Sequence, residues 1–351
     1  MTAVIPSIHV ENKKTQLINS PGNAGKVAVI GAFDTLETNP QLFMTVGEAQ
    51  TAFGKDSTYN GCAVVEDLFY GAESLLAVNI TTESEDPTPV REKELTTTKL
   101  TNALSKIKGE DFDILFVAAT LTDTFLPIIT TFLEESYGIK YPVGYVGCLA
   151  GATTAANVAS AALAGEFCFG LITQQLTVGA EELSLLRSAA YYTGVIASMQ
   201  VGNTMTMKEV PGVTAVSPEL SFETGGDGKA LLEAGITTFK VQDRGARRVI
   251  VVNSEQPNGL DLYINRVRNY IVKEFALHEF LGERNNDVTI NEIKHEVDRV
   301  RDECVNVLNL LEDIKYTVAP ESPSCVGITV DSLIFAGIIT RINVYVRVEV
   351  E

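Results

Sequence analysis

The chain has 351 residues, enough for about two domains, each with its own core. Apolar residues make up 45% and charged residues 21%, the balance of an ordinary soluble globular protein. The formal net charge of −18 argues against free nucleic acid as a partner, because binding phosphates takes a basic surface.

That charge also keeps copies apart in solution, so a protein built to assemble would need matching basic patches at its contacts. The five cysteines, Cys62, Cys148, Cys168, Cys304 and Cys325, are far apart and form no CxxC, which predicts buried reduced thiols in a protein made in a cytosol. The start, MTAVIPSIHVENKK, lacks the basic stretch and apolar run of a signal peptide. The small-residue stretch AGATTAANVASAALAGEF, residues 150–167, contains Asn157, Glu166 and many Thr and Ala. It is too weakly apolar to span a bilayer and predicts a close-packed soluble helix, with no membrane insertion.

In chain order, residues 1–25 predict an extended arm and a turn. KVAVIGAFD (26–34) predicts a buried strand, TVGEAQTAFG (45–54) a short helix closed by Gly54, residues 62–73 a second helix and SLLAVNIT (74–81) a strand. A polar, Pro-containing loop follows. Helices at 97–108, 124–137 and 153–163 then alternate with the strands FDILFVAA (112–119), PVGYVGCL (142–149) and CFGLITQQ (168–175), before a helix at about 181–200. Continuous apolar strands separated by helices imply an α/β fold with a mainly parallel sheet covered on both faces.

After Gly202 the texture changes to short strands, turns and a small helix, ETGGDGKALLEAGITTFKV and RRVIVVNSEQ among them. Two long amphipathic helices follow, at 262–281 and from Ile290 to about Ile314. A Pro-marked break at APESPS (319–324) precedes the strand VGITVDSLIF and a last strand, RINVYVRVEVE. The predicted division is therefore an arm at 1–25, an α/β domain at 26–200, an α+β domain at 201–340 and a strand at 341–351.

No motif makes a specific case for catalysis. GNAGKV (22–27) and GGDGKA (225–230) lack the spacing and the Ser/Thr of a phosphate loop, and VIGAF carries one Gly where a dinucleotide fold needs several. His278-Glu279 and His295-Glu296 begin like HExxH, but Gly282 and Arg299 stand where the second His would be. There is no GxSxG. Carboxylate pairs such as Asp111/Asp113 and Glu181/Glu182 are expected in a chain with 45 acidic residues and read as solvated faces or helix N-terminal charges.

The terminal strand is more informative. Ile342, Val344, Val346, Val348 and Val350 fall on one side, and polar residues on the other. An open strand edge templates pairing with another chain, and the branched face fixes its register. Eleven extended residues reach roughly 36 Å, far enough to cross to a neighbouring copy. Ile5, Ile8 and Val10 in IPSIHV suggest a second such strand, with imperfect alternation.

Several stretches carry a resemblance when taken in order. They are KVAVIGAFDTLETNPQLFMTVGEAQTAFG, YNGCAVVEDLFYGAESLLAVNI, YYTGVIASMQVGNTMTMKEVPGVTAV, LLEAGITTFKV and INRVRNYIVKEFALHEFLGERNND, followed by the strand-rich end. Together, over roughly residues 26–351, they resemble the contractile tail sheath family of phage tails and phage-tail-like bacteriocins. The length leaves little room for the extra surface domain many of those proteins carry. The resemblance implies a sheath core at 201–340 with extended terminal arms. It implies a structural subunit, with no cofactor and no turnover, that stacks in six-fold rings around an inner tube. Neighbours would be joined by strands added to one another's sheets, and contraction would drive the tube into a target cell envelope.

The partners so implied are other copies, the inner tube protein, and baseplate and tail-terminator proteins. Assembly would take place in the bacterial host cytoplasm, and the product would be a virion tail or a released particle. A helix near the C-terminus would face the tube; Lys294, Arg299 and Arg301 on the second long helix are the candidates. Against this, Glu292, Glu296, Asp298, Asp302 and Glu303 lie among them, as on an ordinary salt-bridged surface helix. The alternatives are an α/β enzyme or ligand-binding protein with an unrecognised site, and another structural polymer such as a tail tube or surface layer.

Overall fold

The computed structural model describes residues 25–83, 90–139, 141–151, 154–243, 247–276, 280, 283–322 and 325–335. Its first half alternates as the apolar runs predict. In order come β1 (Lys26–Gly31), β2 (Gln41–Phe43), α1 (Val46–Phe53), α2 (Asn60–Leu68), β3 (Ser74–Asn79), β4 (Thr82–Glu83), β5 (Arg91–Glu92), α3 (Thr97–Lys106), β6 (Ile114–Thr120), α4 (Leu126–Gly138), β7 (Gly144–Cys148), α5 (Thr154–Ala161) and β8 (Cys168–Ile172). Then follow β9 (Gln175–Val178), β10 (Glu181–Glu182), α6 (Leu185–Ser198), β11 (Val213–Ser217), α7 (Asp227–Glu233), β12 (Phe239–Gln242), β13 (Arg248–Val251) and α8 (Leu262–Glu274). The chain continues with α9 (Asp287–Asp302), a π-turn at Glu303–Val307, β14 (Asp313–Ser322) and β15 (Cys325–Ile334).

Helix starts follow their caps. Thr45, Thr96, Ser184, Asp261 and Asn286 each accept a backbone N–H of the first turn through the side chain. Each satisfies a donor the helix itself cannot use.

Six strands form one sheet in the order β2-β3-β1-β6-β7-β8. All neighbours are parallel except β2, which runs antiparallel to β3 at one edge. Alternate side chains feed two cores. Val27, Val29, Ile114 and Phe116 pack with α1, α2 and α6 on one face; Ala28, Ile30, Leu115 and Val117 pack with α3 and α4 on the other. Covering on both faces explains why these strands read as unbroken apolar runs.

Helices α2 and α6 approach closely because glycines stand at the crossing, Gly194 in α6 and Gly71 just past the end of α2. A Cβ on Gly194 would meet the Asp67 carbonyl oxygen at 2.6 Å, and one on Gly71 would meet the Gly194 carbonyl oxygen at 2.4 Å. Arg187 Nε bonds Asp67 Oδ2 at 2.7 Å across the same pair.

The chain divides into two compact units, up to Glu279 and from Phe280. The boundary expected near residue 200 does not coincide with this division. Thr237 bridges Ile172 at the β8 edge, and Phe239, Val249, Val251 and Leu262 join the same core as Val27. The short strands after Gly202 are thus an extension of the first unit.

In the second unit, α9 was expected to run to about Ile314 but ends at Asp302. The π-turn and Asn309, with φ at 50°, take the chain out of helical geometry, and Ile314 lies in β14. The break expected at APESPS is largely strand. Pro320 sits in β14 opposite Val326, in a two-stranded sheet where its missing N–H can face outward.

Candidate assembly interface

The described residues of the second unit are built on one helix and one hairpin. Ile290, Ile293, Val297, Val300 and Cys304 recur at spacings of three and four and are all buried. This stripe turns α9 onto β14, whose Ile314 and Val318 are buried. β14 and β15 pair antiparallel from Asp313↔Ile334 to Ser322↔Cys325, with register shifts between Lys315 and Tyr316 and between Pro320 and Ser322. Such bulges increase the local twist. Among the described residues this sheet has only two strands. A hairpin of two ten-residue strands has two long outer edges and is marginal in water unless more strands or a helix cover it.

The three candidate cations on α9 do not form one patch. Lys294 is exposed. Arg301 lies seven residues on, on the same helix face, and bonds Asp313 Oδ1 at 2.6 Å. Arg299 points about 140° away from Lys294 at 100° per residue. It is held by Glu296 at 2.5 Å and Glu303 at 2.9 Å, and these bonds raise its pKa further. Two of the three cations are therefore spent on ion pairs within the unit. Ile342, Val344, Val346, Val348, Val350, Ile5, Ile8 and Val10 lie outside the described residues, as do His9 and His278.

In the first unit, the strand order places the switch between β1 and β6, where open parallel sheets take ligands at the strands' carboxyl ends. Here protein fills that place. Gly61 N donates to Ala32 O at 2.8 Å, Thr81 Oγ1 to Phe33 O at 2.8 Å, and Phe33 N to Asn79 Oδ1 at 3.0 Å. A Cβ on Gly31 would meet both Ala118 Cβ and Gly61 Cα at 2.9 Å.

The opposite end of the sheet holds a charge cluster that local sequence does not reveal. Lys273 on α8 reaches Asp113 at 2.6 Å, Phe112 O at 2.9 Å and Asp111 at 3.3 Å, while Lys26 also pairs with Asp111. Asp111 and Asp113 were expected to be merely solvated, but their partner lies 160 residues or more away in sequence. Burial pushes the Cys148 and Cys168 thiols up to about 12, which keeps them protonated and inert. Cys325 is exposed, not buried as expected of the five thiols.

Residues 93–253 match the family model described as the phage tail sheath protein central domain. Somewhat under half of the chain therefore resembles the central domain of phage tail sheath proteins. The fold of the whole chain agrees. The crystal structure of a sheath tail protein from Desulfitobacterium hafniense superposes with a TM-score of 0.66 at 12% identity, covering 90% of this chain and 97% of that one. The anti-feeding prophage baseplate contains a chain matching at TM-score 0.68 and 12% identity, over 93% of this chain and 94% of that one. The helical sheath of the same prophage in its contracted state matches at 0.62 and 13%, over 95% and 94%. No curated protein matches by sequence. The matched stretch takes in β6, β7 and β8 of the six-stranded sheet and runs on through β9 to β13. Among the described residues no helix is long and apolar enough to cross a membrane.

Proposed function

We propose that the chain is the structural subunit of a contractile tail sheath. It polymerises around an inner tube through strands exchanged between copies, and its contraction drives the tube through a cell envelope. The sheath central domain is the observation that carries this reading. The two-stranded sheet of the second unit supports the exchange, since its long outer edges offer main-chain pairing to a strand such as residues 341–351 or the IPSIHV segment. Other copies of the chain, the inner tube, the baseplate and the terminator are its partners, and the host cytoplasm is its place of assembly. Lys294 on the exposed side of α9 is the best-placed tube contact, because Arg299 and Arg301 are already paired.

The subunit acts without turnover. The protein-filled switch point between β1 and β6 supports this, because an enzyme on this sheet would use that crevice. A truncation ending at Thr340 tests the exchange. The shortened chain should fold, with an unchanged circular dichroism spectrum, and remain monomeric in sedimentation. Full-length polymers from the truncated chain would overturn strand exchange through residues 341–351.

A further inference from the structure

Beside the Lys273 cluster lies a cavity of about 180 Å³ below the amino ends of β1, β6 and β7. Water takes about 30 Å³ per molecule in the liquid, so there is room for several small groups. Two buried residues of α8, one turn apart, line it. Arg266 is 2% exposed. Its terminal nitrogens donate to Met199 O at 2.8 Å and Gln200 O at 3.3 Å, at the C-terminal end of α6. Its Nε has no partner among the described residues, and no described carboxylate lies within ion-pair reach. A guanidinium has five N–H donors, so most remain unspent. Asn269 is 6% exposed, and among the described residues neither its amide nitrogen nor its amide oxygen has a partner.

A buried cation without a direct ion pair is costly even with Asp113 across the cavity, and each unmet buried donor adds to that cost. Burial pulls the Arg266 pKa down to about 10, so the side chain is still a cation at neutral pH. A planar acceptor with two oxygens is the shape that a guanidinium edge receives best. Phe169 and Pro142 supply an apolar wall for a short hydrocarbon tail. The other charges at the site limit the guest. Asp113 and Asp111 are held by Lys273 and Lys26, and Glu274, also on the wall, opposes a second negative charge.

We propose that this cavity binds a small monocarboxylate anion of acetate size, gripped by Arg266 and Asn269. The inference does not depend on the sheath reading. Calorimetric titration of the full chain with sodium acetate tests it, with sodium chloride at equal ionic strength as the control. Acetate should give saturable heat with one site per chain, and chloride should give none. Asn269→Asp places a carboxylate beside Arg266 and should abolish the acetate heat. Asn269→Ser, a second variant should the first fail to fold, should bind acetate about tenfold more weakly, as expected for one lost hydrogen bond. An absent acetate signal, an equal chloride signal, or an unchanged acetate affinity in either folded variant would overturn the proposal. The first result would mean that the cavity holds only water.

Discussion

Lys273 donates from Nζ to Asp113 Oδ1 at 2.6 Å, tying α8 to the residue just before β6. Burial alone would lower the lysine's pKa, but Asp113 and Asp111 outweigh it and hold it above the ordinary 10.5. The pair therefore fixes α8 on the sheet as a charged contact, not as a neutral one.

Removing one partner should be costly. Asp113→Asn leaves Lys273 with only the half-exposed Asp111 and should destabilise the first unit by about 3 kcal/mol, the lower end for a broken buried pair. Urea denaturation of wild type and variant measures this. A loss under about 0.5 kcal/mol, the range of ordinary surface changes, would mean that the contact does not hold α8 in place.

The same cluster gives stability a pH dependence on both sides. Asp111 is pushed up by burial, but Lys273 and Lys26 bring its pKa below the ordinary 3.8. A depressed carboxylate contributes fully above its unfolded value, and the contribution is lost as pH falls through the folded one. Lys273 has the opposite sign. Its contribution is complete below 10.5 and lost as pH rises through the higher folded value. Urea midpoints should therefore fall below about pH 4, and Asp111→Asn should flatten that acid limb. An unchanged acid limb in the variant would assign the effect to other carboxylates.

Gly194 should tolerate no side chain. A methyl group there would meet the backbone oxygens of Asp67 at 2.6 Å and Leu68 at 2.9 Å, neither of which is a flexible tip. Gly194→Ala should cost about 1–3 kcal/mol as α2 and α6 are forced apart. Equal thermal midpoints for the two proteins would show that the helices can separate freely.

Much of the fold is legible in the sequence because local rules and tertiary structure agree there. KVAVIG, ILFVAA and CFGLI are apolar on both faces, and helices do cover both faces. Thr45 and Gly54 mark α1 at both ends. Reading fails where long-range packing decides. Nothing near Asp113 announces Lys273, and nothing near Thr237 announces the β8 edge that draws residues after 200 into the first unit. Pro320 reads as a break but sits in a strand, because a two-stranded sheet leaves an outward position for a residue without N–H. The acidic neighbours of Arg299 suggest its pairing with Glu296 and Glu303, whereas nothing in the helix pattern announces that Arg301 pairs with Asp313 on β14.

That pairing sharpens the tube contact. Lys294→Glu should leave the circular dichroism spectrum and urea midpoint unchanged, because Lys294 is exposed. It should reduce assembly of the sheath on tubes, scored as the fraction of tubes covered in electron micrographs. Normal coverage would remove α9 from the tube-facing surface.

The central claim is that this chain is built to polymerise. Negative-stain electron microscopy of the purified full-length protein tests it most directly. The account predicts helical cylinders of stacked rings. A monodisperse soluble particle that forms no cylinders would contradict it.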